Sequence, residues 1–122
     1  VRSARQIDKD MTLFDTTLFD RSRPADEIER KVRAFTPWPG AWTMWPAGER
    51  IARLRIDEAD AVDVPPPDSA NGYVWERPGL PILFKTGHGS VAPRRLTLEG
   101  KKMLPAAAFL AGHRAIIGST LV

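Results

Sequence analysis

The chain has 122 residues, 43% of them hydrophobic and 27% charged, with a formal net charge of +3 and no cysteine. That is room for one globular domain with its own core and too little for two domains and a linker, and no apolar run is long enough to span a bilayer. Without cysteine there are no disulfides, thiolate metal sites or cysteine nucleophiles, which fits a reducing, cytoplasmic setting, and the lack of a spanning run leads to the expectation of no membrane partner.

The chain opens at Val1 rather than Met, as a processed product or a piece of something longer would. Residues 1–22 are polar with weak apolar repetition in "MTLFDTTLFD". They read as a linker or arm that docks Leu13, Phe14, Leu18 and Phe19 on the domain, which then occupies 23–122.

The next stretch, "SRPADEIERKVRAF", reads as a helix over 24–35. Ser22 is placed to cap it and Pro24 suits its first turn. Acids come early and bases late, as the helix dipole prefers. Ala25, Ile28, Val32 and Phe35 form one apolar stripe, and Thr36 and Pro37 stop the helix.

After Gly40 the period changes to two. "AWTMW" is a strand from Ala41 to about Trp45 that sends Trp42 and Met44 to one face and Trp45 to the other. "ERIARLRID" sets Ile51, Arg53, Arg55 and Asp57 against Ala52, Leu54 and Ile56. After the loop "DVPPPDSANG" come "YVWE", "PILFKT" and "RRLTLE", divided by "RPGL" and "GHGS", which hold the glycines that turns require. About five short strands with no crossover helix between them predict a mainly β fold, a five-stranded antiparallel barrel. "PAAAFLAG" closes it as a short C-terminal helix begun by Pro105 and stopped by Gly112.

No catalytic set emerges. His88 lies between two glycines and His113 follows a helix-ending glycine; neither has a spaced metal partner or an orienting carboxylate. "GHG" and "PGLP" do not join a parallel strand to a helix, as a phosphate-cradling loop would. Charge is the more informative signal. Between Arg77 and Arg114 lie Lys85, Arg94, Arg95, Lys101 and Lys102 against the single acid Glu99. Such a bias can take phosphates by counterion release, and a solvated surface explains it equally well.

Two motifs carry a resemblance. "VRAFTPWPGAW" followed, after a strand-rich interval, by "GKKM" and "AAAFLAG" resembles the C-terminal domain of methionyl-tRNA formyltransferase over about Asp15 to Leu121. In that family the region opens with a helix ending in an "IRAF.PWPGA" pattern and closes with "GKK.M…FL.G". The resemblance implies an OB-like barrel, with its N-terminal flanking helix, attached to an N-terminal Rossmann-type formyltransferase domain. It implies initiator tRNA, or another formyl acceptor, as partner. It also implies that 10-formyltetrahydrofolate serves the parent enzyme, with no cofactor on this chain. The family's catalytic Asn, His and Asp motifs do not occur here, so the chain is expected to be inactive alone.

The resemblance marks Lys101 and Lys102 of "GKK" as nucleic-acid-binding candidates; the local charge adds Arg94 and Arg95 of the preceding strand, Arg33 of "RAF" is a further candidate, and Trp42 is a candidate base-stacking platform. Because adjacent strand residues point to opposite faces, only one of Arg94 and Arg95 is expected in the patch. Trp38, steered by two prolines, is expected in the core with Phe35, while Trp42 and Trp45 can each serve either role, at least one of them partly exposed. Four positions depart from the family pattern: Asn71-Gly72 where relatives have Pro-Gly, Gly87-His88-Gly89 for Gly-Asp-Gly, Thr97 nearest to a missing glutamine, and Pro105 for a capping serine. A divergent acceptor stays open. Relatives that formylate sugar nucleotides and formyltetrahydrofolate dehydrogenase carry the same barrel, and a stand-alone binding module is a third possibility.

Overall fold

A computed structural model describes residues 20–36 and 40–122. The expected docking of Leu13, Phe14, Leu18 and Phe19 and the burial of Trp38 lie outside these residues.

Helix α1 runs Ala25–Phe35 and buries Ala25, Ile28 and Val32. Its outer face is laced by three i,i+4 ion pairs, Arg23–Glu27, Arg30–Asp26 and Arg33–Glu29. Ser22 does not cap it: Pro24 holds the cap position with no side-chain bond, while the Ser22 hydroxyl donates to Asp20 at 2.6 Å. The helix start is instead pinned by tertiary contacts, Ala25 N–H donating to the His88 carbonyl (2.9 Å) and Gly87 N–H to that of Arg23 (3.2 Å). At the other end Thr36 N–H returns to the Val32 carbonyl and Gly40 N–H to that of Phe35. Gly40 reaches this position at φ +97°, a region closed to most side chains. Phe35 is only half-buried, with the Lys31 ammonium 5.5 Å from its ring centre.

Six strands follow: β1 (Ala41–Ala47), β2 (Arg50–Val62), β3 (Val74–Arg77), β4 (Leu80–Lys85), β5 (Ser90–Leu98) and β6 (Met103–Pro105). They form one antiparallel sheet in the order β1-β2-β5-β4-β3, with β6 also pairing β5. The expected alternation holds in β2, where Leu54 and Ile56 are fully buried and Ile51 is 67% exposed. Five strands become six because β6 pairs Arg95–Thr97 through only three residues, too few to carry a period. Helix α2 (Ala106–Gly112) and a 3₁₀ turn (Arg114–Ile116) complete the elements of the described residues.

The sheet closes through a segment with no strand signature. Residues 118–122 lie between β3 and β1. Gly118 and Leu121 amides donate to Val74 and Gly72 carbonyls, and Val74 N–H donates back to Ser119, each at 2.8 Å. On the other side Met44 and Val122 exchange both backbone bonds, at 3.1 and 2.9 Å. Both outer strands thereby gain partners, which removes the exposed edges that an open sheet would present.

One core fills the interior: Leu54, Ile56, Val74, Ile82, Phe84, Val91 and Leu96 from the sheet, with Ile28 and Val32 of α1, Phe109 of α2, Ile116 and Leu121. Trp45 is 5% exposed and donates its indole N–H to Ser119 at 3.2 Å. Its ring meets the edge of Phe109 at 6.3 Å between centroids, the arrangement aromatic pairs prefer.

Candidate nucleic-acid interface

The "GKK" motif forms the turn between β5 and β6. Lys101 N–H closes it onto the Leu98 carbonyl at 2.8 Å, and Gly100 sits at φ +82°, where a Cβ would be strained. Lys101 and Lys102 both project to solvent. Neither enters an ion pair or a side-chain hydrogen bond among the described residues.

Behind the turn opens a cleft of about 690 Å³ lined by Gly100, Lys101, Lys102, Leu104 and His113. His113 reaches it from the residue that ends α2. Its ring lies parallel on Phe109, 4.4 Å between centroids, and its Nδ1 is 3.1 Å from the Phe109 carbonyl. A carbonyl only accepts, so the tautomer that this contact selects carries its proton on Nδ1 and leaves Nε2 to accept.

The other candidate residues sit in different surroundings. Arg94 reaches Asp60 at 3.0 Å and Glu58 at 3.7 Å, and Arg95 reaches Glu58 at 3.4 Å. The two arginines share one carboxylate although alternation sends neighbours apart. The cause is the irregularity in β2 at Ile56, Glu58 and Ala59, where the register against β5 shifts. Arg33 is held by Glu29, whose hydrogen bond raises its pKa above the usual guanidinium value. Lys101 and Lys102 are therefore brought together, whereas Arg94, Arg95 and Arg33 are neutralised by their own acids.

Trp42 is half-exposed on the outer face, and the Arg53 guanidinium covers its ring at 4.2 Å from the centroid, with Arg55 at 5.6 Å. A cation over an indole face is attracted by the ring quadrupole. Burial pushes the Arg53 pKa down, against the pull of Glu99. Next to this stack Arg55, Asp57 and Thr97 form a triangle of hydrogen bonds across β2 and β5. The outer face of β1 and β2 is thus a basic and aromatic surface already engaged with itself.

Sequence reasoning set His113 aside and did not single out Leu104. The available signal was the spacing of Phe109 and His113, four residues apart and so stacked at a helix end. What aims them at Gly-Lys-Lys is the pairing of β6 with β5, which no local pattern records. Among the described residues no group of three or more His, Cys, Asp or Glu could hold a metal, and no helix is long and apolar enough to cross a membrane.

A closed antiparallel sheet with two flanking helices and a lysine turn without acidic partners among the described residues defines a small β-class domain. The chain belongs to the formyl transferase C-terminal domain family, whose profile matches residues 15–114. It is 38% identical over 104 residues to the methionyl-tRNA formyltransferase of Geobacter sulfurreducens, covering 85% of this chain and 31% of that protein. The Myxococcus xanthus enzyme of the same name is 36% identical over 113 residues, 93% of this chain and 32% of the relative. That of Geotalea daltonii is 39% identical over 105 residues, 85% and 31% respectively. The chain therefore spans about a third of the length of these relatives.

Proposed function

We propose that this domain holds the tRNA acceptor of a methionyl-tRNA formyltransferase while a separate N-terminal Rossmann-type domain moves the formyl group from 10-formyltetrahydrofolate to the methionyl amino group. The observation that carries this reading is the charge state of the basic residues. Arg33, Arg94 and Arg95 each have an acid within 4 Å, and Lys101 and Lys102 have none among the described residues. Phosphate binding needs cations whose field is not already cancelled, and a lysine pair on a glycine turn meets that need. In this reading the domain positions and does not catalyse, in the cytoplasm where translation begins.

The test is a gel shift of methionyl-tRNA with the 122-residue chain at two salt concentrations. Replacing Lys101 and Lys102 by alanine should weaken binding and lower the salt slope by roughly one to two units. The same chain supplied with 10-formyltetrahydrofolate should transfer no formyl group. Unchanged affinity and salt slope in the double variant would return the lysines to ordinary surface charge.

A further inference from the structure

We propose that the cleft behind the lysine turn takes one unpaired nucleotide of an RNA strand, its phosphate on Lys101 and Lys102 and its base against Leu104 and His113. This rests on the reading of the domain as an RNA holder and adds which form of RNA the site selects.

Three features of the cleft point the same way. Its volume of about 690 Å³ lies within the ~300–1,000 Å³ typical of small-molecule sites, enough for one nucleotide. Its wall is mixed: two ammonium groups at the rim, then the partly exposed Leu104 and the His113 ring backed by Phe109. An aliphatic side chain and a ring edge have nothing to give a bare phosphate, whereas a base has an apolar face for both. The hydrogen-bond polarity decides between the remaining ligands. In the tautomer that the Phe109 carbonyl selects, with Nδ1 donating, Nε2 is an acceptor. It repels phosphate oxygens and suits an exocyclic amino group. In a duplex that amino group is paired and the base face is stacked, so the ligand is unpaired, and adenine or cytosine fits better than uracil.

The experiment follows the His113 ring nitrogens and the Leu104 methyl groups by NMR in the unaltered chain. The added ligands are short oligoadenylate, short oligouridylate, an RNA duplex of equal length and inorganic phosphate. Saturable shifts at both residues with oligoadenylate, weaker with oligouridylate and absent with duplex and phosphate, are the expected result. Lys101→Gln with Lys102→Gln should then weaken oligoadenylate binding about tenfold at low salt. Shifts confined to the lysines, or equal for duplex and single strand, overturn the proposal. If the lysine variants weaken tRNA binding while His113 and Leu104 never respond, the nucleotide cleft fails and the RNA-holding role stands.

Discussion

Thr97 on β5 stands directly opposite Arg55 on β2, its hydroxyl accepting from the guanidinium at 3.2 Å while donating to Asp57 at 2.7 Å. The same guanidinium also donates to Asp57 at 2.7 Å. The hydroxyl thus joins a cation and an anion at a position only 6% exposed.

Thr97→Val keeps the shape and deletes that link, leaving Asp57 one donor short. The expected loss is about 1–3 kcal/mol, the penalty for a partly buried polar group without its partner. It is read as a lower denaturant midpoint with an unchanged slope. A midpoint equal to that of the parent protein would show that water replaces the hydroxyl at no cost.

The closing segment gives a paired prediction. Leu121 is 1% exposed and Val122 is 50% exposed, so two neighbours of similar chemistry should behave differently. Leu121→Ala should destabilise by about 2–5 kcal/mol through the cavity it leaves, and Val122→Ala by less than about 0.5 kcal/mol. Thermal melting of both variants checks this; similar losses in the two would contradict the seam described above.

Gly87→Ala tests how α1 is anchored. A Cβ at Gly87 would run into the Ser22 carbonyl carbon and oxygen, which are backbone atoms with little room to yield. The entry to α1 must then move away from the β4–β5 turn, at about 1–3 kcal/mol for an overpacked site. Amide exchange reports it directly: the Ala25 N–H, bonded to His88, should exchange faster while the Phe84 N–H in the sheet changes little. Unaltered protection at Ala25 would mean that the anchor lies elsewhere.

Asp20 supplies a pH prediction. Hydrogen bonds from the Ser22 hydroxyl and backbone N–H hold its carboxyl below the ordinary value of 3.8. A depressed folded pKa means that the stabilisation is fully present above the unfolded value and fades as pH falls through the folded one. Because Asp20 is exposed, the effect is local: the Ser22 amide resonance should shift in acid with a midpoint below 3.8. A midpoint at or above that value would show that the two bonds do not persist in solution.

The strongly periodic parts of this fold were legible. The stripe Ala25, Ile28, Val32 placed α1 within a residue, and alternation in "ERIARLRID" assigned the correct face of β2. Trp45 and Trp42 divided between core and surface as period two requires. What escaped depended on partners distant in sequence. The strand expected at "RRLTLE" begins earlier, at Ser90, and Pro93 within it pairs with Ala59 beside the β2 irregularity, where a missing N–H is tolerated. β6 and residues 118–122 are ordered by the chains they lie against. In the candidate interface, the lysine turn could be read from a motif, but the neutralisation of Arg94 and Arg95 by Glu58 and Asp60 required the register of β2 on β5.

The seam between β3 and β1 also sets an order of events. The Thr43 hydroxyl donates to the Val122 carbonyl across a sequence separation of 79 residues, so this closure carries one of the largest loop entropies in the chain and is the contact least able to form early. Until it forms, β1 and β3 each present an unpaired edge, open to the same strand-by-strand addition that residues 118–122 perform. A nascent or heated molecule is thus most vulnerable to association along this line. A short peptide copying residues 118–122 would compete for the groove in that interval and act as a probe of it, slowing the final folding phase without altering the finished protein.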